Sequence, residues 1–456
     1  MDPGGFVDRE RELQLLMRAW ERRPSFIVVY GRRRIGKTRL LKEWVRRARF
    51  RHVYYLSHLS GHAPNLAGLA RAMDAVLGTR LSGGRWESLY SLLATAAPSF
   101  RDGDVIVLDE FSYWVRSAPQ AASELQQFVD EVLPRTGLVL AITGSLVGVM
   151  LRDVLGGSAP LFGRATHRLR LGELSPWCLP AFTPRYSPHE LAEAYSLFGG
   201  VPHYLRLIDD SLPPTEAFIT LFGPGGALEG EPEFIIREEF RDPHPYLAIL
   251  EAVAEGNTAL TKIANYAGIP TSHASKYVRV LTLLGLLERV PVLFSRRGPI
   301  IVADKVLRSY LLLARAQHSL GEDTPRVREW YASTVPMGWE ELAGTHAMTY
   351  LCRELGLTPS AAGKLIHKGA EIDWVVIDDA NRRVLAVEAK WSDLSEKDVT
   401  RIARRVRALT YTALPSRIRD YDVIVAVYAR SAPKHAEGAK VITPEDMPWS
   451  NACTTD

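Results

Sequence analysis

The 456-residue chain has only three cysteines, Cys178, Cys352 and Cys453, widely spaced and odd in number. Such a set predicts neither a disulfide framework nor a zinc site, and a reducing compartment is the expectation. Excess charge of one sign is also missing: 56 basic residues stand against 52 acidic, a net of +4. A sum this mild does not by itself indicate a nucleic-acid partner, so the distribution of charge must be read instead. Long apolar runs are lacking too. In the apolar middle, the stretch from Thr136 to Leu151 is free of Asp, Glu, Lys and Arg, but it is 16 residues with Thr-Gly-Ser in its centre. A membrane span wants ~20. The opening MDPGGFVDRERELQ has neither a positive n-region nor an apolar h-region, which predicts no signal peptide. These absences predict a soluble, cytoplasmic protein with no membrane partner. What is present is ordinary globular material. An apolar content of 46% with 24% charged residues excludes a largely disordered chain. The length allows two to four domains at roughly 150 residues each.

Three short apolar runs read as buried strands: FIVVY at 26–30, VIVL at 105–108 and LVLAI at 138–142. Helical stretches alternate with them, which predicts a doubly wound, mostly parallel sheet. The first strand runs into Gly31-Arg-Arg-Arg-Ile-Gly36-Lys37-Thr38, the pattern G-x-x-x-x-G-K-[ST] opening a helix. Glycines allow close backbone approach to phosphate oxygens, and the helix N-terminus supplies positive potential. The loop residues Gly31, Arg34, Ile35, Gly36, Lys37, Thr38 and Arg39 are therefore candidates for binding ATP. Lys37 is placed to reach the β- and γ-phosphates and Thr38 to ligate Mg²⁺. The partner expected at another strand end is Asp109-Glu110, with Asp109 toward Mg²⁺ and Glu110 polarising the attacking water. The third strand delivers Thr143-Gly-Ser145, where Ser145 is a candidate γ-phosphate sensor. Arg164, in a loop beyond it, is a candidate arginine finger.

These motifs resemble the archaeal ATPase family, a P-loop group close to AAA+ and signal-transducing STAND ATPases. The segment Phe6-Val-Asp-Arg9-Glu-Arg-Glu12-Leu13 is similar to that family's adenine-side box, which implies a nucleotide contact for Arg9. LFGR at 161–164 is similar to its post-sensor motif. Gly199-Gly-Val-Pro202 is similar to its lid motif, which implies that Pro202 packs near the nucleobase. The resemblance covers roughly residues 5–240.

From His244 three short helical patterns are followed by two extended runs joined by a basic turn, the winged helix-turn-helix pattern. Residues 244–318 hold nine Lys/Arg against four Asp/Glu, a net of +5, so the positive charge is concentrated here. Candidate DNA contacts are Ser272, His273, Ser275, Lys276 and Arg279 on the third helix, and Arg296 and Arg297 at the turn. A protein-docking or spacer role fits the same pattern.

The last region carries Asp373, then Glu388-Ala-Lys390, a D-x14-E-x-K spacing. Glu388 and Lys390 lie two apart on a strand and share a face. Two carboxylates from adjacent strands plus a lysine can hold Mg²⁺ and steady a phosphorane-like charge. Glu340 or Glu341, on the preceding helix, is placed to complete the set. The constellation resembles the PD-(D/E)xK restriction-endonuclease-like fold over about 325–430, a domain that members of the archaeal ATPase family often carry at this position.

The expected fold class is α/β: a P-loop NTPase with a doubly wound parallel sheet and helical lid, a winged helix-turn-helix, and a restriction-endonuclease-like α/β domain. The expected boundaries are 1–172 for the ATPase core, 173–241 for the lid, 242–322 for the winged helix and 323–456 for the nuclease-like domain. The expected function is ATP binding and hydrolysis coupled to DNA binding, with Mg²⁺-dependent cleavage by Asp373, Glu388 and Lys390, and Glu340 as a further metal ligand. The alternative is an ATP-switched regulator or scaffold whose last domain binds without cutting. Arg164 fits action within one chain or across subunits, which leaves a homo-oligomer open.

Overall fold

The computed structural model describes residues 6–157, 159–240, 242–318 and 324–450. The chain forms two compact units. Of the described residues, one takes 6–174 together with Val201–His203; the other takes Ser175–Gly200 and 204–450.

The first unit is built on β1 (Ser25–Tyr30), β2 (His52–Leu56), β3 (Val105–Asp109), β4 (Val139–Gly144) and β5 (His167–Arg170), in the order β2-β3-β4-β1-β5. Every pairing is parallel. Phe26, Val28, Ile106 and Leu108 enter one core with the helices His62–Leu77, Leu89–Ala96 and Gln120–Glu131. The intervening Ile27, Val29, Val105 and Val107 are equally buried, so both faces of the sheet are covered. That is why these strands read as continuous apolar runs rather than alternating ones. The edge strands β2 and β5 alternate in burial and carry no such run, so the sequence did not announce them.

The second unit opens with helices, among them Pro188–Phe198, started by a Ser187/Glu190 capping box. This helix packs on the long helix Thr324–His346. A Cβ on Gly338 would fall within 2.5 Å of Ser196 Cα, so only glycine lets the two backbones approach there. Between them in sequence stand the helices His244–Ala254, Leu260–Tyr266 and Thr271–Leu284, then the antiparallel pair β6 (Leu287–Arg289) and β7 (Ile300–Val302).

The unit ends in β8 (Ala361–His367), β9 (Ala370–Asp378), β10 (Arg383–Asp393), β11 (Asp422–Ser431), β12 (His435–Ala436) and β13 (Ala439–Ile442). They form one mixed sheet, ordered β12-β13-β11-β10-β9-β8. β8, β9 and β10 run antiparallel to their neighbours in turn, and β10 pairs parallel with β11. The helix Glu396–Ala413 crosses from β10 to β11 and buries Val399, Ala403 and Val406 against Val384, Ala386 and Val425. The helix Thr324–His346 packs on β10, with Trp339 fully buried.

Cys352 is buried and free, whereas Cys178 is disulfide-bonded, which corrects the expectation that no disulfide forms. Spacing along a chain carries no information on the Cα separation that decides a bridge. Cys453 lies outside the described residues. Among the described residues no helix is long and apolar enough to cross a membrane.

Candidate functional site

β1 ends at Tyr30 and the chain turns through the glycine loop into the helix Lys37–Ala48. A Cβ on Gly31 would lie 2.5 Å from the Leu171 carbonyl oxygen, and Gly36 caps the helix at φ +97°. Both positions demand glycine, one for space and one for backbone conformation. Lys37 is buried, and its Nζ donates to the carbonyls of Gly31 and Arg32, each at 3.0 Å. The Thr38 hydroxyl donates to Asp109 Oδ2 at 2.8 Å. Asp109, fully buried at the end of β3, also accepts from Thr143 Oγ1 at 2.5 Å and Tyr54 Oη at 2.6 Å. Burial and the Asp109 charge hold the Tyr54 phenol well above its ordinary range, so it stays a donor.

Glu110 follows at φ 53°, an uncommon conformation for a non-glycine residue and one that collects at functional sites. Its carboxylate accepts from Ser145 N at 3.0 Å and Ser145 Oγ at 2.6 Å. Arg9 donates to the carbonyls of Gly172 (2.5 Å) and Ile35 (3.4 Å), tying the N-terminal segment to the loop. Pro202 Cγ stands 3.9 Å from where a Cβ on Gly36 would be. Arg9 and Pro202 therefore stand at the loop and Ser145 meets Glu110, while Arg39 is exposed on the helix that follows the loop. Arg164 does not join them. Its guanidinium pairs with Asp130 at 2.7 Å and donates to the Pro160 and Phe162 carbonyls.

In the second unit, β9 and β10 set Asp373 beside Glu388 and Lys390. Asp373 Oδ2 accepts the Ala389 N–H at 2.8 Å. Lys390 Nζ lies 2.9 Å from Glu388 Oε1 and 3.9 Å from Asp373 Oδ2. Arg405, from the helix Glu396–Ala413, also pairs with Glu388. The other oxygen, Glu388 Oε2, is buried with no hydrogen-bond partner. Glu340 stands on the helix Thr324–His346 with Lys364 Nζ at 3.2 Å. Burial, then the negative charge of Asp373, lift Glu340 to about 7, and the same two causes raise Glu388. Burial works against the charges of Lys364 and Lys390, but the surrounding carboxylates outweigh it and raise both.

Glu341 turns elsewhere, pairing with Lys305 at 2.9 Å and with the buried Arg308. Of the two glutamates, Glu340 is the one beside Asp373. Among the described residues no three His, Cys, Asp or Glu side chains converge as a metal-binding group. The outer members of the acidic row, Glu340 and Glu388, are each tied to cations.

Ser272, His273, Ser275, Lys276 and Arg279 are all exposed on the helix Thr271–Leu284, while Ala274, Val278 and Leu281 face inward. Arg296 and Arg297 are exposed on the segment between β6 and β7.

Comparison with known proteins matches these regions to three families. Residues 6–208 match an ATPase domain predominantly from Archaea. Residues 246–291 match the IclR helix-turn-helix domain, and residues 306–402 a family of archaeal and bacterial proteins of unknown function. Residues 6–208 are thus similar to an archaeal ATPase domain, on a parallel sheet with a glycine loop at the end of β1. An uncharacterized protein of Methanocaldococcus jannaschii is 29% identical over 88% of this chain and 90% of its own length. An uncharacterized ATP-binding protein of the same organism is 49% identical over 41 residues, 9% of this chain and 70% of its own. The solved Walker-type ATPase of Pyrococcus abyssi shares the fold, with a TM-score of 0.52 and 19% identity over 67% of this chain and 96% of its own.

Around the glycine loop the structure adds residues that the motifs did not name. Tyr54 is one. Among the loop arginines, Arg32 pairs with Glu173 at 2.7 Å, and Arg33 lies 5.7 Å over the Tyr113 ring and donates to its hydroxyl. Arg34 takes a left-handed backbone, φ 65°. In the second unit Lys364 and Arg405 are the additions. Each of these meets its acid from a different element, so no local pattern could have shown it.

Proposed function

We propose that this chain hydrolyses ATP at the glycine loop, binds DNA through its helix-turn-helix, and cleaves phosphodiesters at Asp373, Glu388 and Lys390. Lys37 draws phosphate charge toward the loop, and Glu110 takes the proton of the attacking water once freed from Ser145. Thr38 and Asp109, already in contact, fit a shared Mg²⁺. Asp373 and Glu388 would hold a second, with Glu340 completing the set from the helix. When bound, Mg²⁺ there supplies Lewis-acid stabilisation of phosphoryl charge. Lys390, between the two strand carboxylates, steadies the same charge and favours an ionised water. The observation that carries the reading is the partnerless, buried Glu388 Oε2 beside Asp373 and Lys390. A buried carboxylate oxygen left open is costly unless a ligand completes it.

The test is cleavage of supercoiled plasmid and single-stranded DNA in Mg²⁺ or Mn²⁺, with and without ATP. Wild type, Asp373→Ala and Lys37→Ala are run together. Cutting that disappears in Asp373→Ala is the expected result, and the Lys37→Ala lane shows whether ATP gates it. No cutting by wild type under any condition overturns the nuclease and favours the second reading, an ATP-switched regulator whose last domain only binds. That reading draws on the acidic row, whose outer carboxylates are engaged by cations rather than converging on one point.

A further inference from the structure

The segment after β6 leaves the winged helix and joins the sheet. Lys364 N–H donates to the Pro291 carbonyl and Leu293 N–H to the Lys364 carbonyl, each at 2.8 Å. Val292 forms a parallel bridge to Lys364, and Leu293 enters the core beneath β9 and β10. A Cβ on Gly363 would stand 2.7 Å from the Pro291 carbonyl, so glycine permits the approach. A single bridge thus tethers the wing to the β8 edge, one strand spacing away, about 4.8 Å.

Beyond this seam the wing and the sheet edge part to form a cleft of about 1190 Å³. Its walls carry Arg289 and Arg297 from the wing, and Lys364, Glu340, Glu371 and Asp373 from the other side. Trp374 lines it as well, and its indole N–H is buried with no acceptor, so the ring has no hydrogen bond to break on turning. At the wing tip Phe294 is half exposed at φ 62°, next to the exposed Arg296 and Arg297. Phe294 stands third in the tight turn between Val292 and Ser295, which sets this φ and leaves the ring exposed.

We infer that this cleft takes a single strand of nucleic acid, guided by the Phe294–Arg297 tip toward Asp373. Aromatic rings beside arginines make a stacking and phosphate-binding track for unpaired bases. A duplex is the competing occupant, and the measurement below separates it from a single strand. The inference rests on reading the second unit as the one that engages nucleic acid, and it assigns the wing to the site rather than to a duplex groove.

The test is fluorescence anisotropy of a labelled 20-nucleotide oligo(dT) with the full chain in EDTA, where nothing is cut. An oligo(U) arm distinguishes DNA from RNA as the strand. Phe294→Ala and Arg297→Glu, both exposed positions, are each expected to weaken binding at least tenfold. Trp374→Leu, which keeps apolar bulk, is expected to weaken it severalfold. Arg46→Ala, exposed on the helix Lys37–Ala48 of the first unit, is expected to leave oligo(dT) affinity unchanged. Unchanged affinity in both tip variants, or an equal loss for a 20-base-pair duplex, overturns the inference. Since no metal is present, strand binding that depends on the tip without any later cleavage sinks the nuclease alone. Cleavage that needs Asp373 but keeps its KM in the tip variants sinks the strand track alone.

Discussion

The two acidic centres of this chain are satisfied in opposite ways. At the glycine loop, Asp109 is met by three hydroxyls, those of Thr38, Tyr54 and Thr143. At the C-terminal sheet, Glu340 and Glu388 are met by Lys364, Lys390 and Arg405. Hydroxyls can rotate away or ligate a cation themselves, so a dication entering the first centre displaces dipoles. A dication entering the second competes with ammonium and guanidinium groups already seated. On the proposed reading, a cation at the first centre would displace only dipoles, whereas one at the second would have to move charges already seated.

Lys37→Ala probes the first centre most severely. The kcat/KM for ATP is expected to fall about 10³-fold, the scale of one lost preorganised charge-stabilising donor. Strand affinity in EDTA should not change. ATP turnover within tenfold of wild type would remove Lys37 from the chemistry and with it the contrast.

The next largest effect separates the centres by pH. His346, buried beside Tyr428 Oη at 2.8 Å, is pushed down to about 4 from 6.5, chiefly by burial. Its neutral form is the folded one, so its contribution is complete above pH 6.5 and is lost as pH falls toward 4. The loss amounts to about 3 kcal/mol by linkage. Hydrogen exchange followed across that window should show the second unit losing protection in wild type and much less so in His346→Gln. Equal behaviour of the two proteins would show that the ring titrates normally.

Arg405→Ala sharpens the comparison directly. Removing the guanidinium leaves Glu388 to Lys390 alone, and Mn²⁺ affinity, measured by calorimetry, should tighten about tenfold as a competing charge disappears. Weaker binding would mean that Arg405 orders the site instead of occupying it. Tyr54→Phe should have the smallest effect. One hydrogen bond to Asp109 is worth about 1 kcal/mol, so ATP turnover is expected to drop about fivefold, with no change at the second centre.

What could be read from the sequence follows the same division. A phosphate-binding loop is written in consecutive residues, because one turn and one helix start make most of it. Asp109 and Glu110, at a strand end, were legible for the same reason. Glu388 and Lys390 were legible through their spacing of two on a strand. Tyr54, Lys364 and Arg405 were not, since each reaches its partner from another strand or helix. Arg164 had the look of a finger in a loop, and its ion pair with Asp130 on a distant helix could not be foreseen. The wing was legible as a hairpin, but its seam with β8 depends on Gly363, an unremarkable glycine in sequence.

Val201–His203 is a three-residue return of the chain to the first unit, flanked on both sides by residues of the second. A single cut therefore cannot divide this polypeptide into its two parts. A fragment ending at Leu174 would lack Pro202, the residue beside Gly36, and a fragment starting at Ser175 would carry three residues that belong elsewhere. Anyone dissecting the protein by truncation or limited proteolysis should expect the N-terminal piece to be incomplete at its nucleotide loop. Point substitutions in the intact chain are the cleaner tool.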